Sequence, residues 1–275
     1  MLVTLKEILQ DARERRYAVG AFNMLNLEMA RGVLEAAAAE RSPVILALAQ
    51  IHLPYLPVEY AALIARDAAA RTDVPVCLHF DHGTDLGAIL AAARSGFTSV
   101  MYDGSALPYA ENAGNTRAVV ELVRGMGVSV EAELGHVGGG EDGLDDGYAA
   151  NYTDPAQVRD FIEKTGVDAL AVAIGTAHGK YLRPPVLSLD LLAEIRGISA
   201  VPLVLHGGSG LSDADFTGAI RDGISKVNIY TELAVAARGA YTGEVGFEQS
   251  LLDAKDAVKE VARYKMRLFG SAGRG

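Results

Sequence analysis

Eight short apolar runs, separated by segments with helical spacing, predict an α/β fold in which parallel strands and helices form a (β/α)8 TIM barrel. The runs have the length of ordinary strands, and most are apolar almost throughout, as strands buried on both faces are. A barrel of this kind occupies about 250 residues, which suits a chain of 275. We therefore expect residues 1–275 to form a single domain, with an extra N-terminal helix and additional C-terminal helices.

The predicted strands follow one another at regular intervals along the chain. The first four are YAVGAFN (17–23), PVILALA (43–49), PVCLHFDH (75–82) and TSVMYDGS (98–105). The last four are VSVEAELG (128–135), DALAVAIG (168–175), VPLVLHGG (201–208) and KVNIYT (226–231). A doubly wound open sheet is the structural alternative. The count of eight, and the lack of an early G-x-G-x-x-G after a strand, favour the barrel.

The segments between and around these runs predict the helices. Apolar residues recur at helical spacing in LEMARGVLEAAAAER, VEYAALIARDAAAR and NTRAVVELVRGM. Asp154-Pro155 and Ser212-Asp213 are typical of helix starts, and Gly166 is typical of a helix end. The first 17 residues resemble an amphipathic helix, and the stretch from about 232 to 269 is long enough for two helices.

Composition and charge narrow the class of protein. The formal net charge is −10, which disfavours a general nucleic-acid-binding role. Cys77 is the only cysteine, so no intramolecular disulfide can form, and a reducing compartment is favoured. The sequence shows neither the features of a signal peptide nor the roughly 20 apolar residues of a membrane span. We expect a cytoplasmic protein that binds neither nucleic acid nor membrane.

Polar side chains gather where the predicted strands end, the end of such a barrel that holds the chemistry. His82, His178 and His206 follow three different strands at this end. A lone histidine there is usually structural, but three that converge would suit a catalytic Zn²⁺ with one open position. His79 is either an orienting partner or a core residue. His52 and His136 are interpreted as loop residues.

Acidic residues accompany the histidines. Asp81 stands beside His82, a position that favours a role in proton transfer. Asp103 and Glu133 end the fourth and fifth predicted strands. They are interpreted either as partners that orient the ligands or as a second or alternative metal position, and the sequence leaves both open.

A glycine-rich turn predicts an anion site on the same face. HGGSG (206–210) follows the seventh predicted strand, and NIYT (228–231) ends the eighth. Glycines after a strand let backbone amides approach a phosphate, and many barrels bind phosphate at strands 7 and 8. Metal and anion sites together predict a small phosphorylated substrate whose carbonyl or hydroxyl oxygen binds the metal.

Six ordered motifs resemble those of the class II (zinc-dependent) ketose-bisphosphate aldolases, including fructose- and tagatose-bisphosphate aldolases. They are DHGTD, SVMYDGS, VEAELGHVGGGEDG, AIGTAHGKY, LVLHGGSG and KVNIYTEL. The resemblance runs from the first helix to the closing FGSAG. It implies reversible cleavage of a ketose phosphate to dihydroxyacetone phosphate and an aldehyde, through a metal-stabilised enediolate. It also implies a homodimer or homotetramer.

The same resemblance implies a role for each matching residue. His82, His178 and His206 would bind catalytic Zn²⁺, with Asp103 and Glu133 as further metal-site acids for a second divalent or a monovalent cation. Asp81 would be the acid/base for the proton on the aldehyde-derived oxygen. Glu141 would transfer the proton at the carbon beside the carbonyl. Asn228 would be the third catalytic residue. The residues expected to hold the substrate are Asn23, Gly179, Gly207, Gly208, Ser209, Asn228, Ile229, Tyr230 and Thr231.

Two stretches depart from the family pattern. Relatives often have a serine after the second strand, where this chain has Ala49 followed by IHLPYLP. Many relatives also carry an arginine before the last helix that binds the distal phosphate across the dimer, whereas this chain reads YTGEVGFEQS (241–250). Loss of an arginine fork disfavours a second phosphate. We therefore expect an aldehyde without a distal phosphate, unless Arg183 substitutes and the enzyme is a conventional bisphosphate aldolase.

Three alternative functions differ in their chemistry. A Schiff-base aldolase would use Lys180, but the three histidines would then have no role. A zinc hydrolase would activate water at the metal instead of binding dihydroxyacetone phosphate. A noncatalytic sugar-phosphate-binding subunit would not need Asp81 together with all three histidines.

Overall fold

The computed structural model describes residues 1–138, 151–179, 185–241 and 243–275. Within these ranges eight parallel strands pair in chain order, and the eighth also pairs with the first. The sheet therefore closes, which confirms the predicted (β/α)8 barrel and rules out an open doubly wound sheet. That residues 1–275 form a single domain stays a prediction.

The strands agree closely with the apolar runs. They are β1 (Val19–Asn23), β2 (Val44–Ala49), β3 (Val76–Gly83), β4 (Ser99–Tyr102), β5 (Ser129–Leu134), β6 (Ala169–Val172), β7 (Leu203–Leu205) and β8 (Ile224–Ile229). Each run extends one to three residues beyond its strand at one end or both, and two of these differences bear on the site. β7 stops before His206 because Gly207 adopts a φ of 66°, and Thr231 is the first residue of a helix instead of a strand residue.

The described residues form ten α-helices. They are α1 (Leu5–Arg15), α2 (Leu27–Glu40), α3 (Val58–Ala70), α4 (Leu86–Ser95), α5 (Tyr109–Val123), α6 (Pro155–Thr165), α7 (Leu189–Ile198), α8 (Asp213–Asp222), α9 (Thr231–Gly239) and α10 (Phe247–Leu268). Short 3₁₀ helices span Gln50–His52 and Arg124–Met126. The two expected C-terminal helices are α9 and α10.

The predicted helix boundaries have the expected caps. Asp154 accepts a hydrogen bond from the Ala156 amide, and the next residue, Pro155, begins α6. Ser212 and Asp215 form a reciprocal capping box at the start of α8. Gly166 ends α6 in the left-handed conformation, which glycine adopts at little cost.

Alternate residues of each strand face two different cores. Val44, Leu46 and Leu48 of β2 pack between the sheet and the surrounding helices. Ile45 of the same strand faces the barrel interior, where it joins Cys77. This alternation with a period of two is typical of a strand. It also directs polar residues near the C-terminal ends of the strands into the barrel interior.

The helix α1 closes the N-terminal end of the barrel. Its buried residues Leu5, Leu9 and Ala12 belong to the same apolar cluster as Ile45 and Cys77. The lower interior is therefore an apolar plug, and Cys77 is a small buried hydrophobe within it, as predicted. Among the helices described, none combines the length and apolar character needed to cross a bilayer.

Candidate active site at the C-terminal end of the barrel

A cavity opens where the strands end, on the side opposite α1. It is lined by Asn23, Ala49, His52, Asp81, His82, His178, Gly179, Gly207, Gly208, Ser209, Asn228, Tyr230 and Thr231. Most of the site residues predicted from the sequence therefore line this one cavity. Asp103 and Glu133 do not line the cavity, but each offers a carboxylate oxygen that clusters with a nitrogen of His82.

An irregularity in β3 lets two consecutive residues reach the cavity. Neighbours in a regular strand face opposite sides of the sheet, yet both Asp81 and His82 line this space. The pairing of β3 with β4 shifts register between Phe80 and Gly83, and His82 has a φ of 47°. A positive φ is uncommon for a histidine, and such outliers concentrate at functional sites.

The three predicted histidines converge from different strands. The ring centroids of His82 and His206 lie 4.3 Å apart, and those of His82 and His178 lie 5.0 Å apart. One nitrogen from each ring lies within 4.8 Å of the others. His178 reaches this place from the loop after β6, where its amide donates to the Gly138 carbonyl at 2.8 Å.

Carboxylates fix the orientation of two of these rings. His82 Nδ1 lies 2.8 Å from Asp103 Oδ2, and His206 Nε2 lies 2.9 Å from Glu131 Oε1. We assign the ring N–H groups to these contacts, because an ionised carboxylate can only accept. The other nitrogens, His82 Nε2 and His206 Nδ1, then point at each other across 2.6 Å.

The surrounding charges act differently on the two rings. Burial opposes charge on His82, but the charge of Asp81 and the hydrogen bond to Asp103 raise its pKa to about 9. Burial and the neighbouring charge of His82 lower the pKa of His206 to about 4. The carboxylates around these rings therefore favour a positive charge at this position.

Asp81 is held as an ionised base by two amides. Asn23 Nδ2 donates to Asp81 at 3.1 Å, and Asn228 Nδ2 donates to both of its carboxylate oxygens at 3.1 and 3.0 Å. Burial would raise the pKa of Asp81, but the charge of His82 and the nearby His79 ring, whose Nε2 lies 3.4 Å from Asp81 Oδ1, hold it well below the usual value. A fixed carboxylate beside a cationic centre can accept or return a proton.

Directly below these residues lies a buried ion pair that the sequence analysis missed. Lys226 Nζ donates to both oxygens of Glu131 at 2.9 Å, and both side chains are fully buried. Each residue stands two positions before a predicted site residue, Glu133 or Asn228, and thus on the same face of its strand. This spacing of two residues was the sequence signal that could have identified Glu131 and Lys226 as part of the site.

The turn after β7 forms a cradle beside the start of α9. A Cβ on Gly207 would come within 2.5 Å of the Ala177 carbonyl oxygen, so only glycine fits there. Ser209 Oγ accepts from the Tyr230 amide at 3.4 Å. In the described part of the chain, no side chain caps the N-terminus of α9. Backbone amides at a helix start suit an anion.

A family model described as fructose-bisphosphate aldolase class-II matches residues 3–274. The chain belongs to this family. Class II aldolases are zinc-dependent lyases, so the predicted enzyme class and family are confirmed.

Relatives of this class II aldolase cover nearly its whole length. The fructose-bisphosphate aldolase of Staphylococcus aureus strain Mu50 is 39% identical over 99% of this chain and 99% of its own. The crystal structure of the YdjI aldolase from Escherichia coli K12 superposes with a TM-score of 0.91 at 39% identity, covering 100% of this chain and 99% of that one. The Campylobacter jejuni fructose-bisphosphate aldolase structure has a TM-score of 0.83 and 23% identity, covering 100% and 97%, and supports the fold alone.

The donor atoms of this aldolase fit zinc. Neutral imidazole nitrogens are preferred zinc ligands, and carboxylates behind them set the ring orientation. The described residues supply this arrangement at His82, His178 and His206. A second group, formed by His82, Asp103 and Glu133, has two carboxylates and would accept a further cation. Burial and the charge of Asp103 raise the pKa of Glu133 to about 8, so Glu133 is protonated unless a cation is close.

Other predicted residues of the aldolase lie elsewhere. Glu141, Lys180 and Arg183 fall outside the described residues. The side chain of Ile229 packs in the core between sheet and helices, so a substrate contact from this position would have to come from the main chain. His136 does not line the cavity, and its ring contacts Ser105 Oγ at 2.9 Å.

The interpretation of His52 as a loop residue needs correction. It ends the 3₁₀ helix Gln50–His52, is 4% exposed and lines the cavity. No sequence signal marked it, because its place depends on how the turn after β2 folds back over the barrel.

Proposed function

We propose that His82, His178 and His206 bind the catalytic Zn²⁺, and that Asp103 and Glu133 serve a second divalent or a monovalent cation. The support is the convergence of three imidazoles, two of them oriented by carboxylates, at the base of the cavity. Bound zinc would act as a Lewis acid on the substrate oxygens and stabilise the negative charge that carbon–carbon cleavage creates.

Asp81 is the proposed acid/base for the hydroxyl oxygen that becomes the aldehyde. Its carboxylate is buried and ionised, and the amides of Asn23 and Asn228 fix its position. Asn228 Oδ1 is buried and finds no hydrogen-bond donor among the described residues, which leaves it available to a substrate hydroxyl. Glu141 is the proposed residue for the proton at the carbon beside the carbonyl, on the basis of the family motif.

The phosphate of dihydroxyacetone phosphate is assigned to the cradle between β7 and α9. Gly179, Gly207, Gly208 and Ser209 line it from one side. Tyr230 and Thr231 begin α9 from the other side, and Ile229 precedes them through its main chain. The amides at the helix start and the Ser209 hydroxyl supply donors without a lysine or arginine.

The other half of the substrate is proposed to lack a distal phosphate. No lysine or arginine lines the cavity among the described residues. Glu244, between α9 and α10, and Glu248, in the first turn of α10, are exposed and lie near the sequence position of the arginine found in many relatives. Carboxylates there would repel a phosphate. The substrate class is thus a ketose 1-phosphate or a related sugar phosphate.

Conventional fructose- or tagatose-1,6-bisphosphate cleavage is the second candidate. The 39% identity to an enzyme named fructose-bisphosphate aldolase favours it. It would need a phosphate-binding cation from Arg183 or from another subunit.

A substrate comparison with the zinc-loaded protein tests both candidates. Release of dihydroxyacetone phosphate is measured from fructose 1,6-bisphosphate, tagatose 1,6-bisphosphate and the matching ketose 1-phosphates, with and without EDTA. We expect higher kcat/KM for the monophosphates and loss of activity with EDTA. A preference for the bisphosphates would refute the proposed acceptor, and activity after complete metal removal would refute the zinc mechanism.

A further inference from the structure

We infer that His52 is a substrate-contacting residue that hydrogen-bonds a hydroxyl group of the acceptor aldehyde, so that the acceptor is a hydroxyaldehyde. This inference rests on the proposed aldolase function and narrows its substrate class. None of the motifs that relate the chain to its family includes His52.

The position of His52 is fixed by its surroundings. Its main-chain carbonyl accepts hydrogen bonds from the amides of Tyr55 at 2.9 Å and Leu56 at 3.1 Å. Its ring packs against Tyr230, with the centroids 4.6 Å apart and the planes at 50°. The imidazole is therefore held at the wall of the cavity by the turn on one side and by an aromatic contact on the other.

The ring has a polar atom that the protein does not satisfy. His52 Nδ1 is buried and has no hydrogen-bond partner among the described residues. Buried polar atoms in native proteins nearly always have a partner, so an exception calls for an explanation. Because the ring lines the cavity, a bound substrate is the partner that the geometry offers.

The chemistry of the ring favours a hydroxyl over a charged group. Burial lowers the pKa of His52 even though the charge of Asp81 acts to raise it. The imidazole is therefore neutral at neutral pH, with one nitrogen that donates and one that accepts. A hydroxyl group can satisfy either nitrogen, whereas a neutral imidazole offers a phosphate only one donor and no compensating charge.

The location assigns this contact to the acceptor half. His52 follows β2, whose last residue, Ala49, pairs with Asp81 on β3. Asp81 is the proposed acid/base at the aldehyde-derived oxygen. In an eight-stranded barrel β2 lies opposite β6, which leads to His178 and Gly179 at the dihydroxyacetone phosphate side. The His52 ring also contacts Tyr230 at the edge of the phosphate cradle. Because His52 follows the strand that pairs with Asp81, we place its ring beside the carbons beyond the reacting aldehyde.

His52 also lies apart from the metal centre. It belongs to none of the metal-ligand groups found among the described residues. A role in zinc binding is therefore not the reason for its burial, and changes at His52 can be read through substrate preference.

The experiment measures aldol addition of dihydroxyacetone phosphate to two aldehydes, D-glyceraldehyde and propionaldehyde, which lacks hydroxyls. His52→Phe retains a ring against Tyr230 and removes both nitrogens, while His52→Gln retains hydrogen-bonding atoms. Tyr55→Phe is the matched control, because it removes a hydroxyl from an exposed residue of the same turn. Each variant is checked for zinc content.

We expect wild type and Tyr55→Phe to prefer D-glyceraldehyde. His52→Phe should lower the glyceraldehyde-to-propionaldehyde ratio of kcat/KM by about 10- to 100-fold, the effect of one lost hydrogen bond to a buried group, and His52→Gln should restore part of it. An unchanged ratio in His52→Phe, or equal losses with both aldehydes, would overturn the inference while leaving the aldolase function intact. If wild type formed no product with both aldehydes, that result would instead refute the proposed function.

Discussion

Cavities open at opposite ends of this barrel, and charged side chains line each cavity or lie directly beneath it. At the C-terminal end the charged groups are buried and bonded to one another, as in the contacts of Glu131 with Lys226 and His206. At the N-terminal end a cavity of about 160 Å³ is lined by Arg13, Arg16, Arg196 and Arg221. Charge alone therefore does not distinguish a reaction site from the rest of the surface.

The difference lies in what the charges contact. Arg13 donates to the main-chain carbonyls of Ser199 and Ala200 at the end of α7, and Arg221 pairs with Asp222 at the end of α8. Cations there complement the carbonyls at helix C-termini. At the C-terminal end the charged side chains are buried, so each of them depends mainly on the protein for its partner. Substitutions should therefore have large effects at one end and small effects at the other.

The largest effect is expected from Asp81→Asn. The amide has the same shape but cannot take a proton, so kcat should fall by about 10²- to 10⁴-fold, the range for loss of a general acid/base. Zinc content and KM for the ketose phosphate serve as controls for an intact site. Activity within about threefold of wild type would show that Asp81 is not the acid/base.

Lys226→Met should destabilise the protein strongly. It leaves the Glu131 carboxylate buried with one less partner, and breaking a buried pair costs about 3 to 5 kcal/mol in the free energy of unfolding. Urea denaturation of the zinc-free protein measures this loss. The double variant Glu131→Met with Lys226→Met should regain most of it, since no buried charge then remains without its partner.

The matched control lies at the other end of the barrel. Arg221→Met breaks a cation–carboxylate pair whose arginine side chain is 69% exposed. Exposed pairs contribute little to stability, so the urea midpoint should not change measurably. Equal losses for Lys226→Met and Arg221→Met would contradict the distinction between the two ends.

Glu131→Gln should weaken zinc binding in addition to destabilising the protein, because it also leaves Lys226 buried without its carboxylate partner. Glu131 orients His206 through Nε2, and loss of such a partner typically lowers metal affinity by about 10- to 100-fold. Competition with a chelator of known affinity measures the change. Asp222→Asn removes a carboxylate at the N-terminal end and should leave the affinity unaltered. No difference between these two variants would show that Glu131 does not position His206.

The sequence predicted the fold well because its signals are local. Buried parallel strands are apolar throughout, and cap residues such as Asp154 and Ser212 indicate where a helix begins. The strand ends also predicted the cavity, because a barrel brings all of them to one face. His82, His178 and His206 were therefore placed together without knowledge of any distance.

Other features depended on geometry that no local pattern encodes. The positive φ of His82, which turns it toward Asp81, arises from a register shift against β4. Glu131 and Lys226 are 95 residues apart in sequence, and only closure of the barrel joins them. His52 reaches the cavity through the fold of a 3₁₀ turn. Contacts of this kind depend on tertiary structure instead of on residue type.

Apart from the control variants, the smallest effect is expected from Arg13→Ala at the N-terminal end. Loss of its hydrogen bond to Ser199 at 2.8 Å should lower Tm by about 2 to 4 °C, the equivalent of one hydrogen bond in a chain of this size. The barrel's apolar plug separates this contact from the proposed metal ligands, so kcat/KM should stay within about twofold of wild type. Arg15→Ala, an exposed position on the same helix, is the control. A fall in kcat/KM of fivefold or more, with zinc content unchanged, would show that the two ends of the barrel are energetically coupled.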